Sequence, residues 1–392
     1  MSLANVNIVI GNGNLGVASL SDDGIAGLVL TGTATEKLEL NKVYVLSSTA
    51  DFKKYSIDEK TNPFLYKELT AFYNAAGDGA ELHLLVVSEA TTLTQICAAE
   101  EDAPLKKLIS SAAGRIRLVG INRNTPTEYV PTLEGCIDAD VVTAIAAAQS
   151  VADSFLKQVA PFRVLLPALG WNGETTDLYQ PREGSYNRVA IVMASDGIFG
   201  ESKLYSAAIG QVLGRAAKIS VHQNIGRVRD GAIAAKGFLT SGKTPEEHFA
   251  LWDLLDDAGY IFYRTFISKN GYYLNDDATA TATTDDYCFL SYGRVIDKAT
   301  ILAYKTYIDD ILDNIEVDPD KGTIPVPICK EFEAAIIRSV NTEMSGEISS
   351  FNAYINPEQD ILTTRETNIS LEIVPLGTLR KINISLSLKN PA

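Results

Sequence analysis

Residues 43–87 read VYVLSSTADFKKYSIDEKTNPFLYKELTAFYNAAGDGAELHLLVV, and the pattern within them decides the predicted fold class. The apolar run at residues 43–46 predicts a strand. Asn62 and Pro63 are typical of a helix cap and first turn, and apolar residues at helical spacing follow them. A second strand is predicted at residues 82–87. A strand, an amphipathic helix and a strand in this order favour a parallel crossover unit.

The same alternation continues through the first half of the chain. Strands are predicted at residues 115–121, 162–166 and 189–193, and helices at residues 140–157 and near 203–218. Because strands that alternate with helices favour a sheet covered by helices on its faces, we predict an α/β core.

The order of the elements changes in the second half. A helix is predicted from near Pro245 to just before Gly259, and residues 260–274 follow as a β-hairpin with a Lys-Asn-Gly turn. Two long helices come next, and the second is predicted at residues 329–344. Alternating apolar residues at 369–373 then predict another strand. The C-terminal part is therefore predicted to be α+β, with mixed-sheet domains and flanking helices overall.

The first long helix is predicted to extend as far as residue 312. Five apolar residues are expected to line one face of this helix. These are Ile301, Tyr304, Ile308, Ile311 and Leu312.

Both ends of the chain carry the alternation of a strand with one apolar face. Open strand edges invite pairing with another chain through main-chain hydrogen bonds. We therefore predict that both ends form extended strand arms exchanged between copies of the chain. The predicted inter-subunit residues are Val6, Ile8, Ile10, Ile382, Ile384, Leu386 and Leu388.

The length of 392 residues and the 46% hydrophobic content predict a folded protein of two or three domains. We place an N-terminal arm at residues 1–25, an α/β region at 26–240, a second domain at 241–380 and a C-terminal arm at 381–392. The formal charge of −15 opposes binding to a phosphate backbone, so nucleic acid is not an expected partner.

The start of the sequence lacks a basic segment followed by a long apolar segment, and no run of 18 apolar residues occurs. We therefore expect synthesis in a cytoplasm and no direct membrane insertion. The four cysteines are far apart in sequence, which favours buried free thiols over a zinc or redox site. They are Cys97, Cys136, Cys288 and Cys329.

Two sequence motifs raise the possibility of a nucleotide site. Residues 11–16 fit the GxGxxG pattern of dinucleotide-binding folds, but residues 19–27 carry loop formers where a helix should begin. Residues 237–244 match the Walker A pattern, yet Pro245 follows directly. Thr244 and Glu247 have the spacing of a helix capping box, which would place the Walker lysine outside the helix. We predict no cofactor, and nucleotide binding remains the alternative.

Catalytic and metal sites are not predicted either. The three histidines have neither metalloprotease spacing nor a neighbouring cysteine, and no nucleophile elbow is present. The acidic pairs at 276–277, 285–286 and 309–310 could bind a divalent cation, but hairpin ends and helix faces explain them more simply.

Whole segments, rather than a short motif, carry a resemblance to a known family. Residues 43–52, the helix that follows them and the strand at 81–87 resemble the opening α/β unit of contractile tail sheath proteins. Residues 254–261, Arg264-Thr265, a hairpin and residues 285–297 then precede a long helix. That order is similar to the C-terminal part of the same family.

The resemblance implies a structural, non-enzymatic subunit of a phage tail or a related contractile injection system. It also implies that copies form a helical tube around an inner tail tube protein, in contact with baseplate and tail terminator proteins. Contraction of that tube would drive the inner tube into a target cell envelope. The rival hypotheses are a P-loop-like nucleotide-binding protein and another tail or baseplate component.

Overall fold

The structure, a computed structural model, describes residues 22–199 and 202–389. The described residues divide into two compact units. The first contains the described residues before 221 together with 225–288, and the second contains 221–224 and the described residues from 289. The boundary that we expected at residues 240–241 lies inside the first unit.

The first unit contains many strands, most of them short. They are β1 (Ala26–Thr31), β2 (Val43–Leu46), β3 (Leu82–Val87), β4 (Leu118–Asn122), β5 (Leu133–Glu134), β6 (Ile137–Asp138), β7 (Arg163–Pro167), β8 (Ser185–Tyr186), β9 (Val189–Val192), β10 (Ala194–Gly197), β11 (Ser206–Ala207), β12 (Phe238–Leu239), β13 (Tyr260–Ile261), β14 (Tyr263–Arg264), β15 (Tyr273–Leu274) and β16 (Ala280–Thr281).

The helices of the first unit connect and cover these strands. The α-helices are α1 (Asp51–Lys54), α2 (Pro63–Ala76), α3 (Leu93–Ile96), α4 (Pro104–Ser111), α5 (Ala139–Leu156), α6 (Ile209–Lys218) and α7 (Trp252–Ala258). Short 3-10 helices occur at Asp22–Gly24, Pro181–Glu183, Val228–Asp230 and Glu246–Leu251.

A seven-stranded mixed sheet forms the centre of this unit, in the order β13-β9-β7-β4-β1-β3-β2. All neighbours in it pair in parallel except β2, which is antiparallel to β3. The central strands are buried along their whole length, as expected where helices cover both faces of a parallel sheet. The predicted α/β class with mixed sheets is confirmed.

The predicted crossover unit between residues 43–46 and 82–87 is wrong. These strands, β2 and β3, are antiparallel, and the parallel partner of β3 is β1. The sequence pattern indicated a loop at the start of β1, because Gly24 precedes this strand and Gly27 lies within it. The short helix α1 lies between β2 and α2, in a stretch whose path the apolar pattern does not specify.

Two glycines of α6 set how closely it approaches α2. A methyl group at Gly210 would lie 2.2 Å from the carbonyl oxygen of Glu68, and one at Gly214 would lie 2.4 Å from that of Phe72. These two helices cover one face of the sheet, while α3, α4 and α5 cover the other. The close contact therefore fixes one entire layer of the unit.

We expect Gly214→Ala to destabilise the first unit by about 1–3 kcal/mol, toward the upper end because the atom it meets is backbone and cannot rotate away. Chemical denaturation followed by tryptophan fluorescence would measure the change. Gly377→Ala is the matched control, since a methyl group there meets nothing within 4 Å. Equal denaturation midpoints for the two variants would contradict the close contact between α2 and α6.

One helix, α5, is long and apolar enough to cross a membrane by length and composition alone. Its Ala-rich inner face, including Val141, Ile145 and Ala148, is buried in the core beneath the sheet. The apolar composition is therefore explained by packing within the unit.

The second unit combines helices with a two-stranded antiparallel sheet. Its elements are α8 (Leu290–Tyr307), a 3-10 helix (Ile308–Asp310), α9 (Val326–Glu343), β17 (Ile348–Ile355), α10 (Ile361–Thr364) and β18 (Ile369–Pro375). A small core joins α8, α9 and β17 through residues such as Val295, Ile336 and Ala353. The predicted α+β character of this part is confirmed.

The predicted extent of the first long helix is wrong. The α-helix ends at Tyr307, and its buried residues include Val295, Ala299 and Leu302 instead. Ile311 and Leu312 lie beyond it with exposed fractions of 66% and 99%. The sequence pattern extended the helical period through residues where the chain leaves the helix.

Candidate functional site

The Walker-like residues form a tight turn rather than a phosphate-binding loop. The amide of Gly242 donates to the carbonyl of Leu239 at 2.8 Å, and the amide of Leu239 donates to the carbonyl of Lys243 at 2.8 Å. The preceding strand, β12, pairs antiparallel with β10 and lies outside the central parallel sheet. These two amides are therefore already used, whereas a phosphate loop directs its amides at the ligand.

The capping box predicted at the end of this motif is present. The amide of Thr244 donates to Glu247 Oε2 at 2.7 Å, and the amide of Glu247 lies 3.4 Å from Thr244 Oγ1. The hydrogen bond from the Thr244 amide holds the pKa of Glu247 below its usual range. A 3-10 helix follows Pro245, so the first turn after the lysine presents a carboxylate to any incoming phosphate.

A Ser–His pair in the same region was missed by the sequence analysis. Ser241 Oγ lies 2.8 Å from His248 Nε2, and Trp171 contacts the imidazole at 4.7 Å between ring centres. Burial lowers the pKa of His248. Within the described ranges no carboxylate hydrogen-bonds to this histidine, so the pair lacks the third member of a catalytic triad. It joins the turn to the helix that follows.

We expect Lys243→Ala to leave folding and self-association unchanged, because Lys243 is exposed and the turn around it is held by backbone hydrogen bonds. Calorimetric titration with ATP and GTP should detect no binding by the wild-type chain. Micromolar binding that the substitution abolishes would contradict this view and favour nucleotide chemistry.

A buried acidic pair lies on the α2–α6 side of the sheet. Glu68 of α2 is fully buried, and its Oε2 accepts the Gly210 amide at the start of α6, at 2.6 Å. Asp196 of β10 forms an ion pair with Lys67. Burial first, and then the neighbouring Asp196 charge, raise the pKa of Glu68 to about 8. Burial also raises the pKa of Asp196.

These shifts make the stability of the first unit depend on pH. Glu68 holds its proton more tightly in the folded chain than in the unfolded one, so unfolding releases a proton between about pH 4.5 and pH 8. The stabilisation is complete below pH 4.5 and is lost as the pH rises through this window. Glu68→Gln keeps an acceptor for the Gly210 amide but cannot titrate. Its stability should therefore fall less than that of the wild type as the pH rises.

Melting temperatures recorded from pH 5 to pH 8 would measure the slope. Glu36→Gln, at an exposed glutamate, is the matched control and should retain the wild-type slope. If the melting temperature of the Glu68 variant falls with pH as steeply as that of the wild type, the buried Glu68 carboxyl is not the titrating group.

The hairpin of the second unit offers open strand edges. β17 and β18 pair antiparallel from Ile348–Pro375 to Ile355–Ile369, and no other described strand pairs with either of them. The inner face includes the buried Ala353 and Ile355, whereas Val374 on β18 is half-exposed. An edge strand of this kind can accept a strand from another chain.

The predicted C-terminal arm leaves this hairpin directly. Residues 376–389 form no helix or strand within the single chain. Ile382, Ile384, Leu386 and Leu388 are exposed, with values of 84% for Ile384 and 93% for Leu386. The structure thus places these four predicted residues together on an unpaired segment. The predicted N-terminal residues Val6, Ile8 and Ile10, and the GxGxxG motif, lie outside the described residues.

The metal-ligating side chains and the thiols of the described residues can be located in the structure. No group of three metal-ligating side chains occurs there. All four cysteines are free, and three of them are buried, while Cys136 is half-buried. Burial raises the pKa of Cys97, so this thiol stays protonated at neutral pH.

Two family models together match nearly the whole sequence. The DUF2586 N-terminal domain matches residues 3–278, and the DUF2586 C-terminal domain matches residues 286–392. No curated protein matches the sequence.

Solved structures share the fold over almost the entire chain. The contracted helical sheath of the anti-feeding prophage (AFP) matches with a TM-score of 0.64 at 14% identity, over 99% of each chain. A chain in the AFP baseplate matches at 0.62 and 14%, again over 99% of each. The contracted sheath complex of the extracellular contractile injection system PVC matches at 0.58 and 11%, over 99% of this chain and 98% of that one. The resemblance to tail sheath proteins predicted from the sequence is confirmed at the level of the fold.

Proposed function

Because this chain belongs to the DUF2586 family and has the fold of contractile sheath subunits, we propose that it is the structural subunit of a contractile tail sheath. Many copies form a helical tube around an inner tail tube, and contraction drives that tube into a target cell envelope. The observation that carries the proposal is the match of 99% of this chain to 99% of a contracted sheath subunit. Both compact units and the C-terminal segment fall within that match.

Assembly in this proposal uses the two ends of the chain as arms. The C-terminal arm, residues 381–392, adds as a strand to the sheet of a neighbouring copy, and the open edges of β17 and β18 are the candidate acceptors. The N-terminal arm, residues 1–25, pairs in the same way. Main-chain hydrogen bonds supply the linkage, and the apolar side chains of each arm fix its register.

The exposed side chains of the C-terminal arm make this exchange energetically reasonable. Each Leu or Ile that becomes fully buried contributes roughly 1.5–3 kcal/mol, and ordering the backbone costs about 1–2 kcal/mol per residue. For the four apolar side chains and the seven residues 382–388, the two totals are of similar size, roughly 6–12 against roughly 7–14 kcal/mol. Stable pairing therefore needs the hydrogen bonds of the ladder and the many repeated contacts of a polymer.

Other partners follow from the same proposal. They are the inner tail tube protein, the baseplate and the tail terminator, while nucleic acid and direct membrane insertion are not part of it. The charge of −15 supports the exclusion of nucleic acid. Assembly takes place in the bacterial host cytoplasm, and the finished protein belongs to a virion tail or an injection particle.

The subunit performs no catalysis in this proposal, because the energy for contraction is stored in the extended assembly. The occupied amides of the Walker-like turn support this view. A baseplate component is the second candidate, favoured by the match to a chain in the AFP baseplate. Electron microscopy of concentrated protein separates the two, since a sheath gives long hollow cylinders and a baseplate component gives discrete rings.

Removal of either arm should abolish tubes while leaving the body folded. Deletion of residues 1–12 should give a soluble chain with a near-native melting curve and no cylinders. Ile384→Asp combined with Leu386→Asp should also block assembly, because burial of an unpaired carboxylate costs several kcal/mol. Negative-stain microscopy and thermal melting measure the two effects.

The matched control for the aspartate variant is Ser385→Asp with Ser387→Asp, which places the same charges at the alternate positions of the arm. This control should assemble better than the Ile384 and Leu386 variant if one face of the arm is buried. Cylinders of normal length from both the deletion and the apolar-face variant would show that the arms are dispensable.

A further inference from the structure

Arg264 lies at the centre of an aromatic cluster on the first unit. Its guanidinium lies 5.4 Å from the ring centre of Trp252 and 4.5 Å from that of Phe266. Tyr273 contacts Phe266 at 5.3 Å, and Phe249 contacts Trp252 at 4.9 Å between ring centres. We call these five residues the Arg264 platform.

Local structure holds the platform rigidly. Arg264 is on β14, paired with Tyr273 of β15. The indole nitrogen of Trp252 donates to the carbonyl of Pro245 at 2.9 Å, which fixes the ring at the start of α7. A guanidinium held against two rings keeps its planar set of donors oriented, and less side-chain freedom is lost when those donors bind an acceptor.

The charge of Arg264 has no acidic partner in residues 22–199 and 202–389. The described contacts of its guanidinium are those with the two rings, and its buried Nε lacks a hydrogen-bond acceptor among the described residues. Other arginines of the unit do find carboxylates, as Arg115 does with Glu81 and Arg123 with Asp140. In a chain with 49 acidic side chains, a pre-oriented arginine without one is available to an acceptor from outside.

Apolar side chains surround this cation at the surface. Phe249 of the platform is 69% exposed, and Ile267, which follows Phe266, is 99% exposed. Exposed aromatic and aliphatic groups beside an arginine are typical of the centre of a protein interface. The platform therefore suits a partner segment that is both acidic and apolar.

The second unit carries a segment of that chemistry. Residues 308–313 read IDDILD, and all three aspartates are exposed. Ile311 and Leu312 are exposed among them, and Leu312 adopts a left-handed backbone conformation with φ of 68° that directs the chain out of the helical path. We call residues 308–313 the acidic-apolar segment.

We propose that the Arg264 platform of one copy binds the acidic-apolar segment of a second copy of this chain. An aspartate accepts from the Arg264 guanidinium, and Ile311 and Leu312 cover the exposed Phe249 and Ile267. Each copy then uses its platform toward one neighbour and its acidic-apolar segment toward another; a head-to-tail contact of this kind generates an open helical polymer when the rotation between copies does not close a ring. The inference rests on the proposed function, since it names a contact between sheath subunits.

A charge exchange tests the contact. Arg264→Glu, and separately Asp310→Arg with Asp313→Arg, should each raise the concentration needed for self-association by about tenfold or more. The chain that carries all three changes should regain at least part of the lost association. Sedimentation at several concentrations measures self-association whether or not the polymer is a tube.

Matched controls separate this contact from general charge effects and from misfolding. Arg338→Glu and Glu331→Arg reverse exposed charges on α9 and should associate like the wild type. Thermal melting identifies a variant that fails to fold, and in that case Arg264→Gln, which removes the charge with less disturbance, replaces Arg264→Glu and should weaken association in the same way.

The outcomes distinguish the two proposals. If every folded platform variant forms tubes like those of the wild-type chain, the contact is overturned and the sheath function stays in place. Self-association that is restored by the charge exchange, but that never gives tubes, would support the contact and overturn the sheath function. A wild-type chain that stays monomeric at all concentrations would overturn both.

Discussion

The close contact between α2 and α6 is the constraint on which the first unit depends. Gly210 and Gly214 let the backbones of the two helices meet, and the Glu68 carboxyl from α2 accepts the amide of Gly210 in the first turn of α6. A helix start that is buried needs such an acceptor, because its amides have no partner within the helix. The layer formed by these two helices packs on β1 and β4, and so covers one face of the central sheet.

The sequence predicts the fold class correctly, but it does not predict which strands pair and in which direction. Apolar runs marked β3, β4, β7 and β9 because buried parallel strands are continuously apolar. β1 was not predicted, although it is an interior strand, because Gly27 interrupts its apolar run and Gly24 and Gly32 lie near its ends. The pairing direction of β2 was wrong for a different reason: hydrophobic periodicity records which residues are buried and contains no information on the direction of the neighbouring strand.

Local capping chemistry was the most reliable part of the sequence reasoning about sites. Thr244, Pro245 and Glu247 lie close together in sequence, so the rejection of a phosphate loop needed no knowledge of the tertiary fold. The Ser241–His248 pair, the Glu68–Asp196 pair and the Arg264 platform each join residues whose proximity arises from folding. The alternation of residues 382–388 lies within one segment, so it could be recognised from the sequence; in the structure these residues are exposed and form no strand within the chain.

The position of β1 has a mechanical consequence. Residues 22–25 lead into β1, an interior strand of the sheet that is paired in parallel with β3 on one side and β4 on the other. Tension applied to residues 22–25 along the strand direction would load both ladders in shear, so that many hydrogen bonds share the force at once. An arm attached to an edge strand could instead be peeled away one bond at a time. If neighbouring copies pull on the N-terminal arm during contraction, the force enters the subunit where the sheet resists rupture best.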